Sequence, residues 1–245
     1  MAGLDDLLAG AVRGLPPKPD DAARQADKKA YSETVSRVMA LAFAADLRRR
    51  GCAEVRPMAP GTPGDVGSER RMAGGIGAKK VDVTWATEES GLILGISIKT
   101  INFRDAKTRN FQKNLTNRRA DMLMEAVTLH RRFPYAVLAG FFFFDKEADA
   151  DGTDKRRPTL ANAHTRLRLF TGRDDPAGRD EQYERLYLLT LDTAAEGGGL
   201  RAWEVGKPGQ PVALEDIFAG LAELVAERNP DFYEAIDGRL ARVAG

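Results

Sequence analysis

The longest uninterrupted apolar stretch of this chain runs from Pro134 to Phe144, 11 residues that end in four consecutive phenylalanines. A helix needs about 20 apolar residues to cross a bilayer, so this stretch is too short for a membrane anchor and reads as a core strand. Apolar side chains at every position, rather than at alternate ones, predict a strand buried on both faces. Such a strand obliges the chain to supply covering layers on each side of a sheet. With 245 residues it can do so, and a single large domain is expected. The composition, 43% hydrophobic and 30% charged, excludes disorder, collagen and coiled-coil rods as the main state.

Hydrophobic periodicity sets out the remaining elements. From Lys28 to Arg50, Tyr31, Val35, Val38, Leu41, Ala42 and Ala45 recur at helical spacing, and Gly51 stands where a C′ glycine ends a long helix. Residues 1–27, with Pro16, Pro17 and Pro19, predict a short helix at most and a flexible lead-in to a domain spanning 28–245. Residues 56–79, with several prolines and the run Gly74-Gly75-Ile76-Gly77, read as an irregular loop. The glycines neither follow a convincing strand nor open a helix, so a phosphate cradle is not expected there. Lys80–Trp85 and Leu92–Thr100, joined by turn residues Glu88–Gly91, predict a β-hairpin. An amphipathic helix is expected over 115–133, with Leu115, Met122, Leu123, Ala126, Leu129 and Phe133 on one stripe and Arg118, Asp121, Glu125 and Arg132 opposite. The expected order is long helix, short strand near Glu54–Met58, hairpin, helix, buried strand, then helix, two strands and helices. That is an α/β or α+β domain around a central mixed β-sheet flanked by helices, with extra C-terminal strands and helices. Residues 145–158 and 171–184 read as solvated, charge-rich loops; the acids of the first lack EF-hand spacing.

Cys52 is the only cysteine and His130 and His164 the only histidines, so neither a disulfide nor a His/Cys zinc site is available within the chain. Asp5 and Asp6 stand where a signal peptide carries positive charge. A cytoplasmic, non-membrane protein is therefore expected. The formal charge of +1 hides a local excess: Lys99, Arg104, Lys107, Arg109, Lys113, Arg118 and Arg119 share a 21-residue window with one acid, Asp105. That window carries +6, leaving −5 for the rest. One face could hold a polyanion while the molecule stays near neutral; a solvated loop and helix start account for the charges equally well.

The chemistry-bearing residues converge on the hairpin. Asp82 lies on its first strand, and Ser97 and Lys99, two residues apart, share a face of the second. An ammonium just inside a buried strand must be paired or functional. Asp82, a gap of 14 residues and then Ser97-Ile98-Lys99, set among helix, strands, helix and strand, resembles the PD-(D/E)xK nuclease superfamily, the restriction-endonuclease-like fold, over residues 28–144. Residues 145–245 would be a C-terminal elaboration. The resemblance implies that Asp82 binds a divalent cation, Mg²⁺ or Mn²⁺, and that Lys99 orients the attacking water. Ser97 stands where an acid is usual, and serine is a weak ligand for a hard cation. Some members of the superfamily carry the missing carboxylate on the following helix, which nominates Glu125 first and Asp121 second, with Glu33 on the first helix a further candidate. Arg104, Lys107, Arg109, Lys113, Arg118 and Arg119 would then hold backbone phosphates.

The resemblance thus implies a metal-dependent endonuclease acting on DNA, in restriction or phage defence, and by analogy a homodimer. Two alternatives stay open: an RNA-cleaving effector on the same fold, and a catalytically degenerate nucleic-acid-binding module, which Ser97 would signal. Structural readings stand beside these. Glu33 can pair with Arg37, and Asp121 and Glu125 with Arg118 and Arg132, at helical spacing. Ser97 has no histidine placed to activate it as a nucleophile, His130 reads as packing, and Phe141–Phe144 as core.

Overall fold

The computed structural model describes residues 3–62, 70–194 and 199–243. In chain order its elements are α1 (Leu4–Arg13), α2 (Gln25–Arg49), β1 (Arg70–Gly74), β2 (Gly77–Val81), β3 (Val83–Thr87), β4 (Gly91–Ile101), α3 (Gln112–His130), β5 (Val137–Asp145), α4 (Thr159–Leu167), β6 (Arg185–Asp192), β7 (Gly199–Glu204), β8 (Pro211–Val212), α5 (Leu214–Arg228), β9 (Tyr233–Ile236) and β10 (Arg239–Arg242). Six strands form one sheet in the order β3-β4-β5-β6-β7-β8. The pairs β4–β5 and β5–β6 are parallel; the other pairs are antiparallel. The fold is α/β, with a central mixed sheet flanked by helices and extra C-terminal elements.

The phenylalanine run lies in the middle of this sheet, and all four rings are fully buried. Their alternation divides the core in two. Phe141 and Phe143 join α1, α2 and α5 on one face, where Phe43 and Phe218 lie with ring centroids 4.8 and 5.8 Å from that of Phe141. Phe142 and Phe144 join Leu115, Met122 and Ala126 of α3 and Leu160 and Ala163 of α4 on the other. At Gly140 a β-carbon would stand 2.2 Å from the Met122 side chain and 2.5 Å from Leu186, so its absence lets α3 close on the sheet. Gly51 ends α2 with φ +98°, and Leu240 of β10 donates its N–H to the Arg50 carbonyl beside it. Among the described residues no helix is long and apolar enough to cross a membrane.

Several local expectations are corrected. Within 56–79, residues 63–69 lie outside the described residues, but 70–81 form an antiparallel hairpin in which Gly74 pairs with Gly77 around Gly75-Ile76. Its strands are built from Arg, Lys, Ala and Gly, poor strand formers, and only Met72 and Val81 bury apolar side chains, so the pattern reads as loop. The expected strand Lys80–Trp85 is broken at Asp82, between β2 and β3. The strand expected near Glu54–Met58 is a single bridge from Arg56 to Thr84. The chain ends in the β9–β10 hairpin rather than in helices. Segment 171–184 is not simply solvated: Arg173, Tyr183 and Glu184 are buried. Glu184 accepts from Arg173 Nη1 at 3.0 Å and from the N–H of Leu138 at 2.7 Å, and lies 3.3 Å from His130 Nε2. His130 therefore serves the core through hydrogen bonds as well as packing.

Two substitutions within the same apolar run separate core from periphery. Phe141→Ala is expected to lower unfolding free energy by about 3–5 kcal/mol. Tyr135→Ala, at a position 60% exposed, should change it by no more than about 0.5 kcal/mol. Urea titrations of both variants measure this.

Candidate functional site

The β3–β4 hairpin sets the site. Val83 pairs with Ile96, which brings Asp82 beside the Ser97–Lys99 end of β4, where its Oδ2 accepts the N–H of Ile98 at 2.7 Å. Ser97 and Lys99 point to the sheet face covered by α3. There the Ser97 hydroxyl donates to Glu125 Oε1, and Lys99 Nζ lies 3.4 Å from Glu125 Oε2. Above Ser97, the Tyr183 hydroxyl donates to Ser97 Oγ at 3.5 Å. A chain of contacts thus runs from Tyr183 through Ser97 and Glu125 to Lys99.

Glu125 comes from the polar stripe read off the sequence, yet it is buried, because this edge of α3 meets β4 at Ser97 and Lys99. Burial raises its pKa; Lys99 opposes the rise, and the balance leaves it at about 7. Lys99 shows the converse. Burial disfavours its ammonium, but the charges of Glu125 and Asp82 outweigh that and raise its pKa above the ordinary lysine value. Tyr183 is pushed well above the phenol range by burial and by the nearby carboxylates. The charge of Lys79 of β2 lowers the Glu125 pKa slightly, and that of Arg118 of α3 lowers that of Lys99.

The other acids proposed for a metal do not join. Asp121 is exposed and 3.8 Å from Arg118, and Glu33 is exposed and 3.7 Å from Lys29 rather than paired with Arg37. Among the described residues there is no group of three or more His, Cys, Asp or Glu side chains that could hold a metal ion. This overturns the expected Mg²⁺- or Mn²⁺-dependent endonuclease and hydrolase. A hard cation takes several carboxylate and water oxygens. Here the position opposite Asp82 is a hydroxyl, and both oxygens of Glu125 are engaged by Ser97 and Lys99. Ser97, 1% exposed, is also closed to a substrate.

The basic segment divides by partner. Arg104 lies 3.3 Å from Glu147 and over the Phe111 ring, Lys113 is 2.8 Å from Asp105, and Arg119 stacks over Phe170. Lys107 and Arg109 are exposed, and no acidic partner engages either side chain among the described residues. Their loop is ordered from within: Asp105 accepts the N–H groups of Lys107 and Thr108 and the Lys113 ammonium, which hold its carboxyl far below the usual range.

Sequence reasoning missed Tyr183, which sits at the end of a charge-rich run and reaches the site only through the register of the strand that follows. It also missed Asp151, whose carboxylate accepts the N–H of Phe111 before α3 at 3.2 Å and that of Thr159, the first residue of α4, at 2.6 Å. Comparison with family models, curated proteins and solved structures found no match.

The Glu125 shift sets a pH dependence. Its pKa is higher folded, about 7, than the ordinary 4.5, so the native state holds a proton that the unfolded chain releases. Its contribution to stability is complete below pH 4.5 and is lost as pH rises through 7. Urea titrations between pH 4 and pH 8 should give a stability that falls more steeply with pH in the wild type than in Glu125→Gln. Lys99→Met should destabilise more at pH 8 than at pH 5, because only the ionised Glu125 loses a counter-charge.

Proposed function

We propose that this chain is a nucleic-acid-binding module on a restriction-endonuclease-like core, in which the Asp82–Ser97–Lys99–Glu125 cluster holds strand to helix instead of hydrolysing phosphodiesters. The observation that supports this most is the ordered 102–111 loop, which presents Lys107 and Arg109 to solvent with no acidic partner among the described residues.

Position adds support. The loop leaves the carboxyl end of β4, and the segment that leaves the carboxyl end of the neighbouring parallel strand β5 lies against it, through Arg104 with Glu147 and Asp151 with Phe111. Crevices at the carboxyl ends of parallel strands are where open α/β sheets receive ligands. Exposed cations on a fixed loop suit phosphate oxygens, which supply affinity without reading sequence. The engagement of Glu125 by Ser97 and Lys99 supports the loss of hydrolysis, since it leaves neither a metal-ligand set nor a free lysine to orient water.

Binding to DNA and RNA, read by fluorescence anisotropy at several salt concentrations, tests the proposal. Affinity should fall with salt, and Lys107→Ala/Arg109→Ala should make the log–log slope shallower by about 0.9 for each duplex phosphate that is no longer neutralised. Neither nucleic acid should be cleaved in Mg²⁺ or Mn²⁺. Salt-insensitive binding, or none, would overturn the reading.

A further inference from the structure

We propose that His130 is a proton-operated latch, which as an imidazolium ties the surface strap 174–182 to the end of α3 and on losing one proton lets it go.

His130 is the last residue of α3 and is buried. Both of its ring nitrogens face acceptors: Nδ1 lies 3.0 Å from the Asp180 carbonyl oxygen and Nε2 3.3 Å from Glu184 Oε2. A carbonyl oxygen can only accept. Glu184 accepts too, since its Oε2 takes the N–H of Leu138 at 2.7 Å and its Oε1 takes Arg173 Nη1 at 3.0 Å. Burial works against the Glu184 charge, but His130, the Leu138 N–H and Arg173 outweigh it and hold the carboxyl below its ordinary pKa. A neutral imidazole has one N–H, so in either tautomer a lone pair would face an acceptor. The imidazolium donates to both. Its place at a helix C-terminus favours that charge, because the unpaired carbonyls there carry partial negative charge.

The charged groups near the ring are of both signs. Glu184 favours the imidazolium, while Arg173 and Arg228 of α5, 3.0 and 3.7 Å from Glu184 Oε1, oppose it. The Asp180 carboxylate lies 3.5 Å from Arg131 Nε, and Arg185 of β6 lies 3.4 Å from Asp174. Guanidinium groups stay charged, so the ring is the member of this group that gives up a proton as pH rises.

The strap is mostly exposed and runs between buried Arg173 and Tyr183. Arg173 Nη2 donates to the Pro176 carbonyl near one end, and Gln182 Nε2 donates to the Leu169 carbonyl at 3.1 Å near the other. Between these ties the Asp180 carbonyl accepts from His130. The Pro176 tie persists at any pH the fold survives; the Asp180 tie does not. A ring with one proton left keeps it toward Glu184, because an anion is the stronger acceptor. Nδ1 then turns a lone pair to the carbonyl. Tyr183, which follows the strap directly, carries its hydroxyl to Ser97, so the hold on the strap bears on the buried cluster.

Nitrogen NMR of histidine-labelled protein between pH 5 and pH 9 tests this, because His164 gives the only other ring signals. Either His130→Gln or His164→Gln assigns them. His130 is expected to show two protonated nitrogens at pH 5 and one at pH 9. Amide exchange at 180–183, corrected for its intrinsic pH dependence, should become about fivefold faster over the same step, the worth of one hydrogen bond. Glu125 titrates at about 7, so both readings are repeated in Glu125→Gln, where the response should persist. His130→Gln, with folding checked by circular dichroism melting, should abolish it. An unprotonated ring nitrogen at pH 5, two protonated nitrogens still at pH 9, or exchange that stays level while the ring loses its proton would overturn the latch. So would a response that disappears in Glu125→Gln or survives in folded His130→Gln.

Discussion

Burial of β5 on both faces is the constraint from which the rest of the fold follows. A strand with Phe141 and Phe143 on one side and Phe142 and Phe144 on the other is stable only between two apolar layers. The layer of α1, α2 and α5 supplies one and the layer of α3 and α4 the other. Parallel pairing of β5 with β4 then requires a crossover, and α3 is that crossover. Because α3 must lie flat on the sheet to cover Phe142, its polar edge meets β4 at Ser97 and Lys99.

That meeting decides the character of the cluster. An ammonium and a carboxylate brought out of water cost several kcal/mol each unless they find one another. Lys99 and Glu125 do so, with Ser97 and Tyr183 completing the contacts. The arrangement consumes the groups that hydrolysis would have needed free. Lys107 and Arg109, exposed on the loop after β4, lie outside it. The cations proposed to bind and the groups that hold strand to helix are thereby different residues within a short stretch of chain.

The nearness of Asp82 to the end of β4 and the charge of Lys99 inside an apolar run were legible as local signals, whereas the break in the strand at Asp82 was not. Glu125 was half legible: helical spacing put it among polar residues near the apolar edge, but whether it faced solvent or sheet depended on how α3 settles on β4. Asp121, one turn earlier, was the second candidate and lies in solvent beside Arg118. Tyr183 and Glu184 carried no signal at all, since the surrounding run of charges reads as surface. Their burial depends on Arg173 and His130, which lie 11 and 54 residues from Glu184 in sequence. The β1–β2 hairpin was hidden for a different reason: its strands are held by α3 and not by their own propensity.

By itself, the sequence determined the layered α/β architecture, the hairpin whose second strand carries Lys99, and the basic window, because these rest on periodicity and composition within about 20 residues. Tertiary structure alone decided which carboxylate meets Lys99, that the meeting leaves no set of metal ligands among the described residues, and that a glycine-rich basic segment becomes an antiparallel hairpin held against α3. The physical reason is common to all three. Each depends on the angle and register at which α3 lies on the sheet, and those are set by side-chain packing between elements far apart in the chain.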